Sequence, residues 1–559
     1  MASGGASFPY SSLEPTTQEI RLLTFTYPTS TNPQPTLSQP LETCTLTLTH
    51  HALSSSLTIP RPKYHALSYV WGLPAPTHPL TVSGHALQVP HNLHAALSRL
   101  ARQRFEGRLW IDALCINQRD TAEKNWQVGM MSTVYRMAEG VVVWLGEDDE
   151  YGLGGRGLRM AGELGALFKG HVRRYAGNGN VDGRMDGARI EGFVRTVREF
   201  VVTRGWMGER VKGDGTVGFD FEAIWKVFAE RPWWRRVWIL QEVVLARQAV
   251  MLCGADPEQN TPVAWDDVRE CIRLFEWMVL YPSTAPEHHR LYEILGDIYP
   301  NVSHLALVSD GYRRSLEEAS KTADSSEDGG MSLLDTIIWT SLALAPGSSI
   351  QATDPRDRIY GLLGVVHCQD RQKIPVDYSP DMTLNKTLFC DAKALLLQHG
   401  PNILSFCQRS LPSSNNGLPS WVPDWTAPRI TVLGGVFFGD EADAKKRGDA
   451  SRVPWSDWAS KCRIEDAVYE DPVVSLQGAV VGRIEKVGRE FHTASGSSNN
   501  LNECREWLLE LQEMVKERGV PGIAHSELDE LWRVPMADFG LAGRADAEDS
   551  SRFRRGFDV

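Results

Sequence analysis

From Tyr64 onward, short apolar runs alternate with helical stripes, and few architectures satisfy that alternation. A strand, a crossover helix and a further parallel strand, repeated, is the arrangement it calls for. YHALSYVWG (64–72) is the first run, and the stripe after it opens near Asn92, a candidate N-cap, with Leu93, Ala96, Leu97 and Leu100 at i, i+3, i+4 and i+7. RLWIDALCINQRD (108–120) supplies the second strand. Asp120, followed three residues on by Glu123, reads as a capping-box start for a helix with Trp126, Met130, Val134 and Met137 on one face. VVVWL (141–145) is the third strand, apolar throughout as suits one covered on both faces, and QAVMLCG (248–254) is the fourth.

The flanks read differently. EIRLLTFTY (19–27) and TCTLTLTHHALSSSLT (43–58) alternate in the β manner around a Pro/Thr/Ser/Asn-rich turn and predict a hairpin or small sheet. Residues 147–220, rich in Gly, Arg and acidic residues, read as an insertion with some helix. FEAIWKVFAE (221–230) and RPWWRRVWILQEVVLA (231–246) are helical, with Pro232 suited to a first turn. Helical segments follow near 264–283, 288–315 and 331–345, then DPRDRIYGLLGVV (354–366) and LPSWVPDW (418–425). The expected division is a β-rich lead at 1–59, an α/β domain at 60–255 with the 147–220 insertion, a helical region at 256–425, and a mixed α/β, partly disordered segment at 426–559. The final SSRFRRGFDV closes on no recognisable element, which leaves the completeness of the C-terminus open.

A hydrophobic fraction of 42% with 18 Trp among 559 residues places the chain among folded, globular proteins. Its net charge of -12 opposes nucleic-acid binding, since phosphate contact needs a positive surface. MASGGASFPYSSLEP lacks the charged and apolar regions of a secretory signal, and no apolar run is long enough to cross a bilayer, so a cytoplasmic, soluble protein is expected. The nine cysteines form no C-x-x-C pair and read as reduced thiols, with Cys115 and Cys253 as small buried hydrophobes. No metal site is expected, because His85, His91 and His94 lack a carboxylate or thiol at helical spacing.

Candidate functional residues gather where strands end, because ligands of open α/β sheets bind outside the carboxyl ends of the strands. The second strand runs into Asp112, Asn117 and Gln118; the alternative is that these three cap the next helix and hydrogen-bond its turn. In the first strand, Ser68 and Tyr69 approach the same edge. Trp71 and Gly72 end it, with Trp71 alternatively a core residue. Glu242 shares a helical stripe with Trp234 and Trp238 at i+8 and i+4, a carboxylate beside two indoles. It is either catalytic or the acidic half of a salt bridge to Arg235, Arg236 or Arg108. GLGGRG (152–157) matches a dinucleotide-binding loop in spelling, but Asp148, Asp149 and Glu150 stand between it and its strand and would repel a pyrophosphate, so a flexible insertion is expected.

Three blocks, YHALSYVWG, LWIDALCINQRDTAEKNWQVGMMSTVYRMAEGVVVWLGE (109–147) and RPWWRRVWILQE (231–242), together resemble the fungal heterokaryon incompatibility (HET) domain in order and spacing. DPRDRIYGLLG and LPSWVPDW resemble segments that accompany it. The resemblance implies non-self recognition and programmed cell death of fused cells. The HET domain is in turn similar to the TIR domain, which implies a TIR-like, flavodoxin-like parallel sheet. In TIR enzymes a glutamate in W-C-x-x-E is needed to cleave NAD. Here Trp238 and Glu242 hold the matching positions, and Ile239 stands in place of the cysteine. The resemblance thus implies an NAD-cleaving hydrolase with Glu242 catalytic and Trp238 beside it, NAD as substrate and no bound cofactor; the strand-end positions add Asp112 as a second catalytic residue and Ser68, Tyr69, Trp71, Gly72, Asn117 and Gln118 around the substrate. The alternative is a non-catalytic module acting by homotypic protein association through the 119–137 helix, with Arg119, Glu123, Lys124, Gln127 and Tyr135 as its surface.

Overall fold

The computed structural model describes residues 8–28, 40–54, 60–72, 77–176, 222–258, 260–280, 289–321, 329–341, 350–399 and 417–426, with short stretches at 192, 195–197, 209–211, 217–219, 403, 406–407, 539–540 and 543–544. Most of the expected segment 426–559 therefore lies outside the described residues. By contact the chain divides into two compact units, one of Met1–Ala343 with Ser349–Met382 and one of Leu344–Ser348 with Thr383–Val559.

The first unit is built on a nine-stranded sheet. Its strands are β1 (Glu19–Thr26), β2 (Thr45–Ala52), β3 (His65–Tyr69), β4 (Thr77–Val82), β5 (His85–Pro90), β6 (Arg108–Trp110), β7 (Gly140–Trp144), β8 (Ala249–Leu252) and β9 (Val263–Ala264). They lie in the order β9-β8-β7-β3-β6-β1-β2-β4-β5. The four strands that alternate with helices, β6, β3, β7 and β8, run parallel, with Ser68 opposite Val143 and Val143 opposite Met251. All five residues of β7 are buried, as its continuous apolar run requires.

The remaining strands make the sheet mixed. β1 and β2 form the expected antiparallel hairpin, from Glu19 opposite Ala52 to Thr26 opposite Thr45. It joins the central sheet, because β1 also pairs antiparallel with β6 through Leu23 and Leu109. A second hairpin, β4–β5, is inserted between β3 and its crossover helix and docks through Leu46 and Val82.

Among the described residues, the α-helices longer than a single turn in this unit are α1 (His91–Arg102), α2 (Thr121–Gly129), α3 (Met131–Met137), α4 (Leu153–Ala176), α5 (Ile239–Val244), α6 (Trp265–Leu280), α7 (His289–Ala319) and α8 (Leu333–Ser341). Asn92 is not the N-cap of α1. Pro90 takes that position, and the Asn92 carboxamide donates to the Val70 carbonyl at 2.7 Å and accepts from the Trp144 indole at 2.9 Å, tying β3 to β7. Asp120 does cap α2, accepting from the Glu123 amide at 3.1 Å. The expected single helix over 119–137 breaks at Met130 into α2 and α3.

That pair of helices offers little of the expected assembly surface, because Glu123, Gln127 and Tyr135 are buried. Glu123 reaches the buried Arg21 of β1 at 2.6 and 2.9 Å and accepts from the Asn117 amide at 2.7 Å. An amphipathic reading assigns charge to solvent; here a guanidinium from the N-terminal hairpin takes solvent's place.

Within 147–220 some helix was expected and is present; the difference lies in GLGGRG, which is not a flexible stretch. GLGGRG enters α4, a 24-residue helix, and the amides of Gly154 and Gly155 already donate to the Asp148 carboxylate at 2.6 and 2.9 Å. The donors a phosphate would need are occupied. The glycines serve close packing: a Cβ on Gly157 would sit 1.9 Å from the Ala223 carbonyl oxygen, and one on Gly165 would sit 1.6 Å from that of Asp267 in α6.

The described part of the second unit centres on α9 (Leu384–His399), with Leu388, Ala392, Leu395 and Leu396 buried. Trp421 of LPSWVPDW meets Phe389 edge to face at 5.2 Å between centroids, so this motif has a core role there.

Gly165→Ala is expected to lower the stability of the first unit by about 1–3 kcal/mol through overpacking. Gly170→Ala, with nothing within 4 Å on the same helix, should raise it by about 0.5–1 kcal/mol. Denaturant midpoints of the two variants check the contrast.

Candidate functional site

Four segments converge beyond the carboxyl ends of β3 and β6. β3 delivers Ser68 and Tyr69 and ends at Trp71 and Gly72, with Gly72 at φ +77°, a conformation that glycine adopts without strain. After Trp110, β6 passes into a single helical turn, Asp112–Cys115, which replaces the longer strand expected here and places Asp112 at the sheet edge. α3 contributes Tyr135, and the segment 231–244 contributes Trp233, Arg236 and Glu242.

The segment 231–244 is not one helix. Pro232–Arg235 form a 3-10 turn, Arg236 is extended at φ -74° and ψ 132°, and the α-helix begins only at Ile239. The extended residue forms a β-bridge with Gln351, whose carbonyl accepts from the Val237 amide at 3.1 Å. The break dissolves the Trp234, Trp238, Glu242 stripe. Trp234 donates instead to the Val227 carbonyl at 2.6 Å, and Trp233 is the indole that reaches the site.

Glu242 is 1% exposed and fully engaged. Arg236 grips it with two parallel bonds, Nη1 to Oε2 and Nη2 to Oε1, each 3.1 Å. The Ser68 hydroxyl donates to Oε2 and itself accepts from the Trp233 indole at 2.8 Å. Of the three arginines weighed as partners, Arg236 is the one that pairs. Arg235 instead donates to the Ala229 carbonyl and to Asn301. Burial pulls the Arg236 guanidinium down, and the negative charges of Glu242 and Asp112 more than offset this, leaving it above its usual value.

Asp112 is the half-buried carboxylate of the cluster. Its Oδ2 accepts from the Trp71 indole at 2.8 Å, and Oδ1 accepts from the Ala113 amide at 2.7 Å. Burial pushes its pKa up to about 6, against the lowering effects of Arg236 and the Trp71 bond. Tyr69 and Tyr135 are buried beside it, and burial together with the Asp112 and Glu242 charges raises both phenols well above their usual range. The Tyr135 hydroxyl donates to the Leu67 carbonyl at 3.1 Å. The Tyr69 hydroxyl faces Asp112 without a hydrogen bond of normal geometry. Trp71, 41% exposed, forms the open rim, so it is not a core residue.

Residues 64–242 match the family profile described as Heterokaryon incompatibility protein (HET). The chain carries a HET domain. A curated relative, heterokaryon incompatibility protein 6, OR allele, from Neurospora crassa, is 25% identical over 555 residues, an alignment covering 89% of this chain and 73% of the relative. No solved structure matches the chain.

Within the HET domain, Ser68, Tyr69, Trp71, Asp112 and Glu242 come together. Gly72 follows at the rim, near the Asn92 Cβ. Asn117 and Gln118 do not join them. Asn117 accepts from the Arg119 amide at 3.3 Å, and Gln118 donates to the Asp112 carbonyl at 3.2 Å, which is the turn-building alternative. Trp238 is turned towards the 350–382 segment: its indole donates to Asp357 at 3.2 Å, while Gln241 donates to the Tyr360 carbonyl at 2.9 Å. Tyr378 holds the other Asp357 oxygen at 2.6 Å. DPRDRIYGLLG thus clasps the helix that carries Glu242. Asp357, a carboxylate pushed up to about 6 by burial, is one of four charged residues in that motif, with Asp354, Arg356 and Arg358, and nothing in the spelling sets it apart. The roles of Trp233 and Tyr135 left no mark in the sequence.

Among the described residues no group of three or more His, Cys, Asp or Glu side chains is placed to hold a metal ion. No described helix is long and apolar enough to cross a membrane.

Removing one partner of the Arg236–Glu242 pair should be costly. Glu242→Gln is expected to destabilise the domain by about 3–5 kcal/mol, with the double change Arg236→Met and Glu242→Leu recovering much of that loss in denaturant titrations. The Asp112 shift makes stability depend on pH. An unfolded aspartate loses its proton near about 3.9, earlier than the folded one, so the native chain loses stability as pH rises from about 4 to 6. Asp112→Asn removes that loss, and its thermal midpoint should gain on the native one across that window.

Proposed function

We propose that this chain acts in fungal heterokaryon incompatibility as a cytoplasmic cell-death effector, and that its HET domain hydrolyses NAD at the carboxyl edge of the sheet. The match over residues 64–242 and the relative's name support the biological role. The order β6-β3-β7-β8 supports the TIR-like reading, since it is the second, first, third and fourth strand of the alternation, as in flavodoxin-like sheets. In that order the ligand crevice lies between the first and third strands, where Asn92 bridges Val70 and Trp144.

Asp112 beside the exposed Trp71 is the observation that carries the chemistry. Nicotinamide leaves with the bonding electron pair as a neutral base, and positive charge develops on ribose C1′. A water oxygen adds to C1′ while Asp112 takes its proton, a task suited to a carboxylate whose pKa is about 6. The products are ADP-ribose and nicotinamide. Trp71 offers a flat wall to the departing ring. The burial of Glu242 supports a positioning role: it fixes Arg236 and Ser68 beneath the reacting groups.

Nicotinamide release from NAD by the full chain, followed by chromatography, tests this. Turnover should rise with pH through about 6 and fall by about 100-fold or more in Asp112→Asn while the fold persists. A folded chain that leaves NAD intact refutes the enzyme. It would favour the second reading, a non-catalytic module acting through protein association, for which the closed Arg236–Glu242 pair is the specific support.

A further inference from the structure

At the amino end of β8, the opposite end of the sheet from Asp112, lies a cavity of about 190 Å³. Three elements wall it: the chain leaving α5, the first turns of α6, and one face of α7 carrying Ser309, Tyr312, Arg313 and Leu316 at i, i+3, i+4 and i+7. Its lining combines an apolar side and a cationic side. Trp265 and Tyr312 are apolar, nearly buried walls. Arg247, Arg269 and Arg313 are guanidinium groups, set against one carboxylate, Asp266.

The cationic side is under-used. Arg269 gives one nitrogen to Glu270 at 3.0 Å, but its Nε is buried with no partner among the described residues. Arg313 is held by Asp310 at 2.6 Å, and Arg247 makes no ion pair among the described residues. Ser309 is 6% exposed and its hydroxyl likewise has no partner there. Buried donors without acceptors are costly, and a site that lines them up against an apolar wall fits an anion with an apolar body.

We propose that this cavity binds a small organic anion, its carboxylate held by Arg247, Arg269 and the Ser309 hydroxyl and its apolar body set against Trp265 and Tyr312. Size limits the ligand to about a single ring, since an apolar cavity of about 150 Å³ accommodates benzene. The site is separate from the Asp112 cluster, and the proposal stands whether or not the domain cleaves NAD. It nevertheless adjoins that cluster's scaffold, because Val243 and Val244 of the helix carrying Glu242 line the cavity.

Benzoate titrated into the full chain by calorimetry provides the test, with benzylamine as a ring of the same size and opposite charge. Saturable benzoate binding is expected, with no binding of benzylamine. Arg247→Gln changes an exposed residue outside the core and should weaken benzoate by about tenfold or more, whereas Glu147→Gln, exposed and beyond the carboxyl end of β7, should leave it unchanged. Absence of benzoate binding, equal binding of benzylamine, or an unchanged benzoate affinity in Arg247→Gln would each overturn the proposal.

Discussion

A carboxylate with 1% exposure cannot stay ionised alone, and much of the HET domain's local geometry follows from satisfying Glu242. To bring Arg236 onto it, the backbone abandons the helix that Pro232 begins and becomes extended for one residue. An extended residue in the interior needs its own backbone partners, and Gln351 supplies them. Once residue 351 is tied there, the segment after it lies along α5, where Asp357 and the Tyr360 carbonyl take the outward-turned Trp238 and Gln241. On the inner side, Ser68 and Trp233 complete the shell around the carboxylate. One buried charge thereby fixes the course of two segments more than a hundred residues apart.

What the sequence revealed and what it concealed follow from the range of the forces involved. β7 was legible because a strand covered on both faces must be apolar throughout, a local signature, and the other three parallel strands were legible from their alternation with helical stripes. Ser68, Tyr69, Trp71 and Asp112 were legible for a related reason, since polar or aromatic residues at strand ends need a rim to occupy. Glu242 was legible as a carboxylate in an apolar stretch, with its function as a pair or a reacting group left open. The break at Arg236 was not legible, because proline opens a 3-10 turn as readily as an α-helix. The inward turn of Glu123 was equally hidden: its partner, Arg21, lies 102 residues upstream, and nothing in the helix's own periodicity records it.

The glycines of GLGGRG show how one spelling serves two physical ends. In a dinucleotide fold such residues admit a phosphate to the helix N-terminus; here Asp148 fills that terminus from within the chain. The missing Cβ atoms admit other backbone instead, and α4 approaches the Ala223 carbonyl more closely than any side chain would allow. The acidic run before the motif, which argued against a pyrophosphate, is the very group that caps the helix.

The clasp over α5 also sets an order of events during synthesis. Ribosomes deliver the chain from its N-terminus, so Ser68, Asp112 and Glu242 emerge well before Asp357 and Tyr360, which stand 119 residues beyond Trp238 and Gln241 respectively. A nascent chain that has just released the last HET strand holds every polar group of the site yet lacks what fastens the helix behind it. Completion of the site is therefore a late event in translation, and a fragment cut at the end of the family match would lack that fastening.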